Sequence, residues 1–145
     1  LADVARLEAA MGEAPPELVL VGRRDLRSNN SWMHNVEVLV KGTERCTLQI
    51  HPVDAERLGL VNGEAAAITS RAGTIEIPVA VTDDIAPGVV SIPYGWGHDQ
   101  PDTRLSVASR RPGVNVNRLT DGSIIDPLSG NAVLNGIPVT VAPIG

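Results

Sequence analysis

Residues 70–82, SRAGTIEIPVAVT, place Ile75, Ile77, Val79 and Val81 on one side of an extended chain and Glu76, Pro78, Ala80 and Thr82 on the other. Alternation of period two over that length fits a half-buried strand and no helix. Pro78 has no N–H to give to a ladder, which predicts an edge or a bulge there. Upstream, Ala72-Gly73 turns the chain into this strand, and residues 64–70 form another, entered through the turn signal Asn62-Gly63. Downstream, Asp83 and Asp84 read as turn residues ahead of Pro87-Gly88 rather than as an acid–base pair, because neighbours in an extended chain face opposite ways. Residues 88–92 make the next strand.

Composition carries the same bias through the chain. Val and Ile total 28 against 13 Leu, Phe is absent and aromatics are 2 %. Side chains stiff at χ1 favour pleated sheet, so the expectation is a mainly β fold with a core of small aliphatics. Further strands are predicted over residues 17–21, 35–40 (from the alternation of Val36, Val38 and Val40), 46–50 and 137–142. Two short helices accompany them. One covers residues 2–11 and ends at Gly12; the other opens at Pro52, carries Asp54 and Glu56 near its positive end and stops at Gly59. His51 reads as the residue that starts this helix, and Cys46 as a small buried hydrophobe. The pentapeptides IPVAV (77–81) and IPVTV (137–141) echo each other, by internal repetition or by chance.

A chain of 145 residues with 20 % charged side chains is one globular domain. A single cysteine excludes an internal disulfide and a thiolate-bound metal cluster. No apolar run is long enough to span a bilayer, and the start lacks the layout of a signal peptide, so a soluble, cytoplasmic chain is expected, with a periplasmic parent left open. It begins at Leu1, and Val4, Leu7 and Met11 form an apolar stripe with nothing upstream to pack on. It therefore reads as an excised piece of a longer protein: residues 1–16 a helix and Pro15-Pro16 linker from a preceding domain, residues 17–145 the domain itself.

The net charge of −5 argues against general nucleic-acid or membrane-surface binding. Its distribution is uneven. Arg23, Arg24 and Arg27 face only Asp25 in residues 22–35, and Arg104, Arg110, Arg111 and Arg118 have no acid among residues 103–120. Two basic segments on an acidic body suit one anionic ligand, or else are solvated loops. No nucleophile elbow, Walker loop, dinucleotide fingerprint or zinc signature is present. What remains is polar: RSNNSWMHN (27–35), GWGH (95–98) and NVN (115–117). Asparagine offers an acceptor and two donors, which suits the mixed edge of a pterin or purine, and arginine beside it can clasp phosphate. Trp32 and Trp96 suit either stacking on a flat ring or core packing; Gly95 and Gly97 either admit a ligand close to the backbone or make a turn.

In order, GRRDLRSNNSWMHN, HPVDAERLGLVNGE, SRAGTIEIPVAVT, PGVVSIPYGWG, NVNRLT and DPLSG resemble the C-terminal molybdopterin-dinucleotide-binding domain of the prokaryotic molybdopterin oxidoreductases, a family that includes formate dehydrogenases, dimethyl sulfoxide reductases and nitrate reductases. The likeness runs from about residue 17 to residue 143. It implies a six-stranded double-psi β-barrel with short peripheral helices, closing the active site of an enzyme that binds molybdopterin guanine dinucleotide, with molybdenum or tungsten held by other domains. It implies partners in those preceding domains, and neither nucleic acid nor membrane insertion. By position it implies cofactor contacts from Arg23, Arg27, Ser28, Asn29, Asn30, Ser31, Met33 and His34 in the first loop, from Trp96 and His98, and from Asn115 and Asn117. No catalytic or metal-ligating residue is expected in this chain. Two other roles known for such barrels compete: a protein-interaction module recognising substrates, which would expose an apolar groove in place of the polar RSNNSWMHN loop, and a self-processing decarboxylase, for which Gly122-Ser123 is the only Gly-Ser bond and no cleavage is expected.

Overall fold

A computed structural model describes residues 2–144. Its strands are β1 (Leu18–Arg23), β2 (Leu48–Ile50), β3 (Ala65–Thr69), β4 (Thr74–Val81), β5 (Val89–Pro93) and β6 (Ile137–Pro143). They close into a barrel in the order β1-β5-β2-β4-β3-β6. The alternation read from sequence decides which side chains fill it. Ile75, Ile77 and Val79 of β4 meet Leu18 and Leu20 of β1, Leu48 and Ile50 of β2, Ala66 and Ile68 of β3, Val90 and Ile92 of β5, and Val139 and Val141 of β6 in one buried cluster. The expected core of small aliphatics is the one found.

Two pairs in the barrel are parallel, β1 with β5 and β2 with β4; the other four are antiparallel. Exchanging β1 for β4, β2 for β5 and β3 for β6 leaves every pairing and its sense unchanged, the internal two-fold of a double-psi barrel. The echo between IPVAV and IPVTV does not follow it: the first lies in β4 and the second in β6, whereas the exchange relates β4 to β1.

Closure also revises the reading of Pro78. A closed barrel has no edge strand, and the β3–β4 register runs through Pro78 opposite Ala65 without a bulge. The proline is accommodated because the β2 ladder starts only at Val79, opposite Leu48.

Three α-helices sit outside the barrel. α1 (Ala2–Met11) buries no residue, leaving Val4, Leu7 and Met11 exposed. α3 (Pro52–Leu58) forms as predicted: the His51 side chain accepts from the Val53 N–H, and Gly59 ends the helix in the left-handed region. Buried Asp54 accepts from the Gly88 N–H at 2.7 Å and pins α3 to the turn before β5. The strand expected over residues 35–40 is instead α2 (Glu37–Val40). No ladder position is open to it in the closed barrel. A helix this short leaves its last carbonyls without partners, and three arginines supply them: Arg27 donates to the Val38 carbonyl, Arg45 to that of Leu39 and Arg111 to that of Val40.

Candidate cofactor-binding site

β1 and β5 run side by side and end together, Arg23 beside Pro93. The chain leaving β1 is the loop 24–35; that leaving β5 is Tyr94 and the GWGH run. Two glycines bring these loops together with the third polar segment. Gly95 has φ +87°, and a Cβ there would lie 2.4 Å from the Asn30 carbonyl carbon. Gly97 has φ +106°, and its Cβ would meet that of Asn115 at 2.6 Å. Both glycines turn the chain in the left-handed region, and each is closely approached by protein, Gly95 by the Asn30 backbone and Gly97 by Asn115.

The loop 24–35 is built from its own polar side chains. Asp25 Oδ1 accepts from the Arg27 N–H, buried Ser28 donates from Oγ to the Asp25 carbonyl, and Asn29 and Asn30 take φ of 44° and 60°, which asparagine tolerates. Asn35 accepts from the N–H groups of Val107 and Ala108, tying the loop to the second basic segment. Two adjoining grooves of about 540 and 490 Å³ share Arg24 and Asn30; Gly22, Tyr94, Leu134 and Asn135 line one, Asp25, Leu26, Asn29 and Met33 the other. A polar cavity of about 1000 Å³ has Asn115, Arg118, Glu76, Asp99 and Gln100 in its wall.

The twelve residues singled out from sequence separate by what they face. Arg23 donates to the carbonyls of Ser91, Thr47 and Arg45 and to Thr47 Oγ1, at 2.6–3.2 Å, and burial lowers its pKa to about 10. Its guanidinium is occupied by the barrel. Arg27 caps α2, as above, and Ser28 is buried. Asn29, Asn30 and Met33 line the grooves, with Ser31 against Gly95. Asn115 accepts from the Asn117 N–H and starts the 3₁₀ turn Val116–Leu119, whereas the Asn117 side chain is exposed and makes no hydrogen bond among the described residues. Trp96 belongs to the core, and Trp32 is 82 % exposed.

His34 and His98, 64 residues apart, meet: His34 Nδ1 lies 2.7 Å from His98 Nε2, and the His34 ring packs on Trp96 with centroids 4.0 Å apart. Burial, then the neighbouring His98, pushes the His34 pKa down to about 4, and burial lowers that of His98. Both imidazoles are neutral at pH 7, so positive charge at this end comes from arginine. Burial raises the Cys46 thiol to about 11, in keeping with a small hydrophobe.

Sequence reasoning missed Arg24, Tyr94 and Asn135. Arg24, counted only as charge, is exposed and makes no side-chain hydrogen bond among the described residues. Asn135 accepts from the Gly22 N–H at 2.8 Å and from the Tyr94 hydroxyl at 3.3 Å; its Asn-Gly turn gave no hint of a distant partner. A free guanidinium beside two asparagines fits a phosphate adjoining a base or pterin edge.

The model of the family described as "Molydopterin dinucleotide binding domain" matches residues 18–138. The chain belongs to this family. As a molybdopterin dinucleotide-binding domain, it is 30 % identical over 80 residues to the molybdopterin-containing subunit of the arsenate respiratory reductase of Chrysiogenes arsenatis, covering 54 % of this chain and 10 % of that protein. It is 37 % identical over 75 residues to the dimethyl sulfoxide reductase DmsA of Escherichia coli, covering 52 % of this chain and 9 % of that protein. It thus spans about a tenth of the length of these relatives. Acetylene hydratase from Pelobacter acetylenicus shares the fold, with a TM-score of 0.73 and 23 % identity over 98 % of this chain and 20 % of that one. The family match goes against the protein-interaction reading. Among the described residues, no three His, Cys, Asp or Glu side chains gather to hold a metal ion, and no helix is long and apolar enough to cross a membrane.

Proposed function

We propose that this domain forms one wall of the site for molybdopterin guanine dinucleotide in a larger molybdenum or tungsten oxidoreductase, closing the site against preceding domains of the same protein. The observation that supports this most is that the loop leaving β5 packs against Asn30 at Gly95 and against Asn115 at Gly97, with Arg24, which has no side-chain partner among the described residues, sharing a groove with Asn30. When bound, the cofactor supplies the redox chemistry. This chain supplies hydrogen bonds and shape: the carboxamides of Asn29, Asn30 and Asn117 meet ring edges, Arg24 and Arg118 meet phosphate, and Met33 excludes water. Arg23, Arg27, Ser28 and Asn115 set the backbone that carries those groups. The domain alone turns over neither nitrate nor formate.

The test is Asn117→Ala in the full-length parent, with guanine nucleotide and metal content measured beside the thermal midpoint. Cofactor retention falls by about 1–3 kcal/mol, from an unpaired polar group on the ligand, while the midpoint is unchanged. Full cofactor with a midpoint many degrees lower overturns the assignment.

A further inference from the structure

Among the described residues, the contact between His34 and His98 is the only side-chain bond between residues 24–35 and 94–98; Asn35 ties the same loop further along, to Val107 and Ala108. His34 is 1 % exposed, stacks on Trp96, and sits four residues after Asn30, whose backbone lies against Gly95. We propose that His34 and His98 are positioning residues, a latch that holds Asn30 and Ser31, and with them the loop that carries Asn29, against Gly95 while both rings are neutral and releases them in acid. This rests on reading those loops as the dinucleotide groove.

The geometry dictates the direction. In the neutral pair one ring nitrogen donates and the other accepts. A first proton is tolerated on half-buried His98, whose Nε2–H then donates to His34 Nδ1. A proton on His34 is not, because Nδ1, the acceptor in that state, becomes a donor facing a donor, and the charge then sits on a ring that is buried and whose Nε2–H has no partner in the structure. Of the charged neighbours, Arg45 opposes charge on His34 and Asp25 favours it, and these two are themselves paired at 3.9 Å. Asp99 favours charge on His98, and the Gly95 carbonyl favours it on both rings. In the open state each imidazole regains its ordinary affinity for a proton. Closure is therefore unaffected above pH 6.5, weakens from there towards pH 4, and levels off below.

The experiment is amide hydrogen exchange on the 145-residue chain between pH 7.5 and 4, corrected for the intrinsic pH dependence of exchange. Opening at residues 29–33 and 95–97 rises by up to tenfold per pH unit below 6.5, while the β-strand amides hold their protection. In His34→Gln, whose amide cannot ionise, the slope is lost; in His98→Gln, which keeps a partner for Nδ1, it persists. Loops that open no more at pH 4.5 than at 7, or His34→Gln retaining the wild-type slope, overturn the latch. Guanosine diphosphate, added at each pH from 7.5 to 4, separates the two readings. Perturbation of the Asn29 and Asn30 amides that fades as the loops open supports both, whereas acid opening with no nucleotide response at any pH supports the latch and overturns the groove.

Discussion

The barrel contains two parallel pairs that its internal two-fold makes equivalent, yet they serve different ends. From β2 and β4 the chain returns through residues 51–64, which hold α3, and through the tight turn 82–88. From β1 and β5 it leaves through residues 24–47 and 94–136, which hold most of the irregular structure and every candidate cofactor contact except Arg23. The two ends also use arginine and aspartate differently. At the α3 end Asp54 locks helix to turn, whereas at the other end Arg23, Arg45 and Arg111 support backbone carbonyls and Arg24 has no side-chain partner among the described residues. A symmetric core thus carries an asymmetric rim, and the difference lies in connection length, not in the strands.

If the strands are equivalent, damage to either half costs the same. Leu20→Ala in β1 and Ile77→Ala in β4, each 1 % exposed, are expected to lose about 2–5 kcal/mol by denaturant titration; a cost below about 1 kcal/mol at one of them breaks the equivalence. The rim makes a sharper contrast between adjacent residues. Arg23→Ala strands several acceptors and costs about 2–3 kcal/mol, while Arg24→Ala stays within about 0.5 kcal/mol and loses nucleotide affinity instead. Similar stability losses at both would remove the division between scaffold and contact. The smallest effect belongs to the long connection after β5. There the Ser123 hydroxyl and N–H, with Arg71, hold the Asp121 carboxyl at about 2. A carboxyl lowered in the fold stabilises it above the ordinary value of 3.8 and loses that contribution as pH falls through about 2. Ser123→Ala should move the titration of Asp121 upward, towards that ordinary value, as followed by NMR; an unmoved titration assigns the shift to the backbone N–H of residue 123 and to Arg71.

What was legible in the sequence depended on how local the cause was. Helix α3 could be read whole, since its start, its charges and its stop lie within a few residues. The alternation in β4 was equally plain. Val36, Val38 and Val40 alternate just as regularly, but their fate turned on a closed ladder and on Arg27, Arg45 and Arg111, and Arg111 lies 71 residues from Val40. The candidate site divided in the same way. Its three polar segments could be recognised by composition. That Arg23 turns into the rim while Arg24 faces the groove follows from strand parity and the position of β2, and the meeting of His34 with His98 follows only from the fold.

The neighbours of β1 are β5 and β6, so the first strand finds both partners only in the last 57 residues of the 145. Most of the ladder joins residues distant in sequence, a topology that folds over milliseconds to seconds rather than microseconds. During synthesis, the loop 24–35 emerges long before the strand that fixes its orientation, and the barrel cannot shut until β6 bridges β1 and β3. Loss of β6 would bare two edges at once, on β1 and on β3, turning the most self-contained part of the molecule into its most aggregation-prone surface.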